Sequence, residues 1–321
     1  MDTVWLLTLG VMVTGWFVLD GANLGLGMTM RAVGGDGVGR RLVLTALGPF
    51  LLAGEVWLVA AAGVLIGAFP GLEKDLLGAF YPLVVALVVT WILRDAGVWF
   101  RSRLPGDVWR DGWERVVVLA GGGFAFVWGL LLANVVQGVP RDGGPGVETL
   151  VGPYSLLWGV TMVAVFAVHG AAFAALRLPD RLRTRAHGVA GRAGAVVPPL
   201  VLAVAAATPL ARTQVARPVP AFAVAAVATV AATLAVVLLR RGDVRHRPGR
   251  VYACTAVTAA CAPIAVGVGT TPRLLEGAAG PRTLDLLAAI ALPAVPVLIA
   301  VQAWMWWLFR RRVGEGSAVF F

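Results

Sequence analysis

The sequence predicts an all-α, polytopic membrane protein, and three observations carry that prediction. Apolar residues make up 59% of the chain and charged residues only 14%, where soluble domains hold nearer half and a quarter. The mean hydropathy is +0.84. The apolar residues also gather in long runs separated by short basic stretches, and about 20 residues at a rise of about 1.5 Å each cross a hydrocarbon layer of roughly 30 Å.

Nine runs reach that length, approximately 4–30, 42–69, 76–98, 116–139, 150–176, 193–211, 219–239, 251–270 and 284–309. The first lacks a basic start and continues too long for a signal peptide, so it is expected to remain as a span. The third ends in Arg94 and Asp95, a pair expected to bind each other locally or to snorkel to the interface. Prolines interrupt two runs: Pro198, Pro199 and Pro209 fall in the sixth and Pro263 in the eighth. Membrane helices tolerate proline because neighbouring groups re-satisfy the freed backbone.

Charge tests the count, because short cytoplasmic connections collect Lys and Arg. With Arg94 placed at the cytoplasmic end of the third span, 21 basic residues fall in the even-numbered extramembrane segments and 6 in the odd-numbered ones, which accounts for all 27. One missing or extra helix would spoil this alternation. Nine spans, an outside N-terminus and a cytoplasmic C-terminus follow.

The net charge of +10 therefore reads as topology and contact with anionic lipid rather than nucleic-acid binding, since groups such as Arg177, Arg181, Arg183 and Arg185, or Arg240, Arg241, Arg245, Arg247 and Arg250, sit in short connections. The longest connections, 99–115 and 177–192, are too short to bury a soluble core. Cys254 and Cys261, seven residues apart on one predicted helix, lie beyond disulfide reach and read as small packing residues. No metal-binding spacing such as paired CxxC occurs. There is no evident internal repeat.

Ionisable groups at bilayer depth are costly and normally face protein or water. Asp20, in "WFVLDGANLGLGM", lies roughly 15 Å from the cytoplasmic end of its helix, and Glu55 roughly 20 Å from the end of the next. Two carboxylates at similar depth on consecutive helices suit proton transfer; the alternative is a pair of hydrogen-bonded or protonated groups that order helix packing. Gly21 and Gly25 form a GxxxG that lets helices approach closely, and they lack the strand context of a dinucleotide-binding loop. His169, in "FAVHGAAF", could ligate a haem, with Met162 two turns earlier on the same face, or serve as a packing residue or proton carrier. His187 and His246 fall in connections. Trp99, Trp109, Trp113, Trp304, Trp306 and Trp307 read as an interfacial aromatic belt, while Trp57 and Arg94 join the intramembrane polar and packing candidates.

These motifs carry a resemblance. "VLDGANLGLGM" is similar to the first-helix motif of subunit II of the cytochrome bd quinol oxidases, which usually reads close to "LDGFDLGVGM". "RRLVLTALGPF", "GEVWLVAAAGVLIGAFP", "ILRDAGVWFRSRL", "NVVQGVP", "GPYSLLWGV", "HGA" and "LRTRA" follow in the same order. The likeness covers about residues 14–192, and the last four spans match in hydropathy alone. It implies a bacterial inner (cytoplasmic) membrane subunit with one integral membrane domain over 1–321: a four-helix bundle over 1–139 that holds the motifs, a second over 150–270, and a peripheral last helix at 284–309. The partner would be subunit I, which in this family carries haem b and haem d; the complex oxidises quinol and reduces oxygen to water with cytoplasmic protons, without pumping. Subunit II itself holds no haem and no metal, supplies stability, contacts lipid and quinone, and contributes part of a proton path.

The departures matter equally. A second acid usual in the first motif is Asn23 here, and "GPVWDGNEVW" is replaced by "GPFLLAGEVW", which puts Leu52 in place of an aspartate and Gly54 in place of an asparagine. Leucine cannot relay a proton. Three readings follow: Asp20, Asn23 and Glu55 with trapped water form a substitute route; protons pass through subunit I alone; or the chain is a degenerate scaffold paralogue without oxidase activity. A secondary transporter would show broken helices in both halves, whereas the prolines at 198, 199 and 263 lie only in the second.

Overall fold

Helix starts are written into the sequence by proline and by one aspartate. In the computed structural model, which describes residues 1–138, 150–211, 213–242, 247–314 and 316–317, eleven α-helices follow one another. They are α1 Asp2–Gly34, α2 Gly37–Ala68, α3 Pro70–Ala79, α4 Tyr81–Phe100, α5 Asp107–Gln137, α6 Pro153–Arg177, α7 Asp180–Ala207, α8 Pro218–Arg240, α9 Pro248–Glu276, α10 Pro281–Ala291 and α11 Ala294–Leu308. Pro70, Pro82, Pro153, Pro218, Pro248 and Pro281 open α3, α4, α6, α8, α9 and α10, where the missing N–H costs nothing and the fixed φ already suits a helix. Asp36 caps α2, its carboxylate accepting from the Gly39 N–H at 2.7 Å.

Among the described residues there is no strand, and nine helical stretches are long and apolar enough to cross a membrane. The predicted third run, 76–98, divides: α3 is a separate short helix, and the crossing helix α4 begins at Tyr81. The ninth, 284–309, breaks between α10 and α11 at Leu292 and Pro293. The connections expected over 99–115 and 177–192 are largely helical, because α5 starts at Asp107 and α7 at Asp180. Pro198, Pro199, Pro263 and Pro272 leave α7 and α9 continuous, as the tolerance of membrane helices allows. Pro209 falls in a 3-10 turn, Thr208–Leu210, that ends α7. The end of the "NVVQGVP" motif, Arg245 and His246 lie outside the described residues.

Lipid tails are as apolar as leucine, so helices in a membrane associate through close contact and polar ties rather than through burial of apolar area alone. α1 is central: it packs along α2 on one side and α6 on the other, and also meets α5 and α9. Gly25 and Gly170 allow the α1–α6 approach, since a Cβ on either would strike the backbone of the other; Gly129 does the same for α5 and α6, where a Cβ would strike the backbone of Trp158 and Gly159, and one on Gly159 would strike the Phe126 ring. Helices α6, α7, α8 and α9 form a ring in which each packs on the next and α9 returns to α6. α4 packs on α5, and α10 and α11 lie at the edge against α2.

Two aromatic groups fill the centre. Trp16, Phe17, Phe124, Trp128 and Phe166 pack with ring centroids 5.1 to 6.1 Å apart, and Phe50, Phe173, Tyr252 and Trp306 form a second group. α11 contributes Trp306 to this second group and is tied to α2 by its one buried residue, Gln302. Its amide accepts from the Trp57 indole at 3.3 Å in one orientation and from the Trp306 indole at 3.3 Å in the other. The chain after α11 folds back on α6, where the Val313 N–H donates to the Arg177 carbonyl at 2.9 Å and the Arg177 guanidinium donates to the carbonyls of Phe309 and Arg311.

Candidate functional site

Position along a helix places Asp20 and Glu55 at similar depth; rotation about the axis decides whether they meet. Asp20 and Asn23, three residues apart, share one face of α1. The Asn23 amide donates to Asp20 Oδ1 at 3.2 Å and to the Phe50 carbonyl of α2 at 2.9 Å. Gly54 of α2 faces the same carboxylate, and a Cβ there would come within 2.8 Å of Asp20 Cβ and Oδ1. The glycine found where the related motif has asparagine thus gives Asp20 its space.

Arg94 joins these groups. Its side chain is 2% exposed and turns inward from α4, so the expected snorkelling does not occur. The predicted local pair does form, with Arg94 Nε 2.8 Å from Asp95 Oδ1. The other two nitrogens reach across the bundle: Nη1 lies 3.1 Å from Asp20 Oδ2 and Nη2 contacts Glu55 Oε1. A planar guanidinium can serve three carboxylates at once because its five N–H donors point in fixed, separate directions. The Phe124 ring, 5.8 Å from the guanidinium carbon, closes one side. One cation among three carboxylates leaves a surplus of negative charge that protons can neutralise, and this is the arrangement's chemical capacity.

Leu52 is 59% exposed on the outer face of α2, so the position where the resemblance expects an aspartate points away from the cluster. Glu55 is 12% exposed and lies between the cluster and that face.

The remaining candidates stand elsewhere. Gly21 meets the Phe166 ring and Gly25 the backbone of α6, on the side of α1 facing α6. His169 sits there too, buried and stacked on Tyr252 with ring centroids 4.9 Å apart. Its Nε2 donates to the Val18 carbonyl at 2.8 Å, which leaves Nδ1 to accept from the Thr255 hydroxyl at 2.9 Å. Both ring nitrogens are engaged, so His169 does not fit as a haem ligand. Trp57 packs on Gly15 and reaches Gln302, away from the acids. Among the described residues no three His, Cys, Asp or Glu side chains converge to hold a metal ion. Trp304 and Trp307 are exposed as a belt requires, whereas Trp306 packs inside.

One ionised residue escaped the sequence reading. Glu114, fully buried near the start of α5, holds Arg101 at 2.7 Å and Arg40 at 2.8 Å, with Arg31 at 3.6 Å. Its sequence signal is the second of two acids, Asp111 and Glu114, between Arg110 and Arg115, just ahead of the apolar run at 116–139, which an assumed loop concealed.

Comparison with known proteins widens the resemblance. The chain is 27% identical over 98% of its length to the cytochrome bd ubiquinol oxidase subunit 2 of Bacillus subtilis, covering 97% of that protein. It is 23% identical over 97% of its length to the cytochrome bd-I ubiquinol oxidase subunit 2 of Escherichia coli K12, covering 94% of it. Its fold matches a chain of the solved bd oxidase from Geobacillus thermodenitrificans with a TM-score of 0.74 at 16% identity, covering 96% of this chain and 98% of that one. The family model for cytochrome bd terminal oxidase subunit II matches residues 1–309, well past the motifs and through the last four spans. With the match running through nearly every helix described above, the chain belongs to the cytochrome bd terminal oxidase subunit II family.

Proposed function

We propose that this chain is the haem-free subunit of a quinol:oxygen oxidoreductase in the bacterial cytoplasmic membrane, that it supports a haem-bearing subunit I, and that it holds protons at the Arg94 cluster. The haems b and d of that partner supply electron transfer and oxygen reduction. The observation that carries the reading is Arg94 shared by Asp20, Glu55 and Asp95. Asn23 Oδ1 is buried without a donor among the described residues and can accept from a proton carrier next to Asp20, which supports a route through Asp20, Asn23 and Glu55.

The cluster also favours one docking face. Glu55 is partly exposed beside Leu52 and Val56, exposed apolar residues on α2, and Ile92 is an exposed apolar residue on α4. A carboxylate at this depth does not face hydrocarbon, so the reading puts subunit I against α2 and α4, with Glu55 at the junction. The N-terminus is taken as outside and the C-terminus as cytoplasmic, on the charge alternation alone. Lipid surrounds the remaining faces, and quinol is a substrate of the whole complex.

A scaffold reading has its own support in Asn23 and Leu52, which stand where the related motifs carry acids. Oxygen uptake with a quinol donor separates the two, measured on membranes from cells co-expressing this chain with subunit I and on membranes with subunit I alone. Uptake that requires both chains and resists moderate cyanide is the expected outcome. Co-purification with haem but no oxygen uptake would establish the scaffold.

A further inference from the structure

At the Arg177 end of α6, two stretches far apart in the chain bring six arginines together. The first two turns of α7 carry Arg181, Arg183 and Arg185, and the segment after α11 carries Arg310, Arg311 and Arg312. Arg177, only 5% exposed, ties that segment down: its guanidinium donates to the Phe309 and Arg311 carbonyls, and its own carbonyl accepts from the Val313 N–H at 2.9 Å. Val313 is buried in the same apolar cluster as Leu178 and Leu182, so the segment is docked. Two carboxylates answer the six arginines. Asp180 pairs with Arg183 at 2.9 Å and with Arg312 at 3.5 Å, and Asp36 pairs with Arg181 at 3.1 Å. Arg185 donates from Nη1 to the Gly34 carbonyl at 2.7 Å, while Arg310 and Arg311 pair with no carboxylate among the described residues. Six cations against two anions leave a surplus of positive charge, and the α7 dipole, positive at this end, adds to it. Like charges held this close repel unless an anion from outside neutralises them.

We propose that the docked segment and the start of α7 together hold the phosphate of one anionic phospholipid at the membrane surface, with Arg177 as the positioning residue that brings the two halves of the site together. The donors select phosphate, because a planar guanidinium binds it through two parallel N–H bonds. Place selects a lipid. The last turns of α11 expose Trp304, Trp307 and Leu308, and three arginines follow within four residues, which is the order in which hydrocarbon gives way to headgroups. Arg310 lies over the Trp307 ring at 4.8 Å, so the apolar and basic parts are continuous. Net charge selects an anionic lipid over a zwitterionic one, since only the former reduces the surplus. The family model ends at residue 309, so the arginines of the docked segment stand outside the matched region. The site rests on the membrane-spanning fold and not on oxidase activity, and it reaches a membrane surface in either orientation of the chain.

The test is native mass spectrometry of the complex with subunit I, released from nanodiscs of mixed phosphatidylcholine and phosphatidylglycerol, with the retained lipids counted. The wild type is expected to keep one phosphatidylglycerol that the triple variant R310Q/R311Q/R312Q loses. R181Q/R185Q should lose the same lipid, and combining the two sets should lose no more. R240Q/R241Q, which removes charge from the end of α8 instead, should keep it. Arg177→Gln leaves all six surface arginines in place, yet by releasing the segment it should lower retention of that lipid several-fold. Full retention in R310Q/R311Q/R312Q or in Arg177→Gln, an equal loss in R240Q/R241Q, or equal retention of phosphatidylcholine at the site would overturn the proposal. So would displacement of the lipid by inorganic phosphate or by polyglutamate, which would assign the arginines to a soluble anion.

Discussion

Arg94 and Glu114 are mirror images in charge, and the difference between them separates a site whose groups can change protonation from one whose groups stay fixed. Arg94 is one cation among three carboxylates; Glu114 is one carboxylate among three guanidiniums. Around Arg94 the surplus charge is negative and sits on Asp20, wholly buried, and on Glu55 and Asp95, which are partly exposed. Carboxylates can shed such a surplus by taking up protons. Around Glu114 the surplus is positive and sits on arginines, which do not give up theirs. Arg31 and Arg40 are partly exposed and Asp111 also pairs with Arg31, so water and a second carboxylate carry the excess. The first arrangement has two protonation states close at hand, and the second has one.

Arg94→Ala is the largest break in this comparison. It strips three carboxylates of their shared cation, and removing one member of a buried ion pair costs about 3–5 kcal/mol. The expected outcome is failure of the complex to assemble, read as loss of co-purifying subunit I. Arg94→Lys sharpens the point, because a single ammonium lacks the planar fork that reaches all three acids; partial assembly with reduced thermal stability is expected.

Asp20→Asn and Glu55→Gln come next. Each keeps the size and the hydrogen-bonding shape of the side chain but removes its ability to carry a proton. Quinol oxidase turnover should fall by at least about tenfold, a barrier increase of about 1.4 kcal/mol, while the complex still assembles. Unchanged turnover in Asp20→Asn would take that residue out of the proton route. Loss of assembly in Glu55→Gln would show that the pair with Arg94 is structural.

Glu114→Gln tests the other side. The amide retains one acceptor oxygen, but the charge-assisted bonds to Arg101 and Arg40 weaken, and such bonds contribute about 1.5–3 kcal/mol. The melting temperature of the complex should drop with turnover unaffected. A fall in turnover at full stability would mean that the basic cluster belongs to the proton entrance, and the contrast with Arg94 would collapse.

The two clusters were unequally legible. Hydropathy and charge alternation are one-dimensional signals, so nine spans could be read along the chain. Depth is also a matter of counting, which is why Asp20 and Glu55 stood out as a level pair. Partners are different: Arg94 meets Asp20 across 74 residues of sequence and Glu55 across 39, and only the rotation of α1, α2 and α4 about their axes settles that contact. Arg94 was assigned to the helix end by its neighbours, yet its side chain turns inward where Gly54 makes room for Asp20. Glu114 was hidden because Asp107 begins a helix where a loop was expected. Gly25 was legible as a point of close approach, but not its counterpart Gly170, since a GxxxG motif says that a helix comes near without saying which one.

The smallest effect concerns an ionised aspartate outside both clusters. Asp36 caps α2 and pairs with Arg181 at 3.1 Å. The Gly39 N–H bond first, and Arg181 after it, hold its carboxyl below the usual carboxylate range. A carboxyl whose folded value is depressed contributes stability above its unfolded value, about 3.9, and loses it as pH falls through the folded one. Asp36→Asn keeps the cap, because asparagine accepts from the N–H as well as aspartate does, and removes the charge. Wild type should therefore melt slightly above the variant at neutral pH, and the gap should close as the pH falls below about 4. Thermal unfolding of the complex at stepped pH measures this. A gap that persists to low pH would assign the cap to geometry rather than to charge.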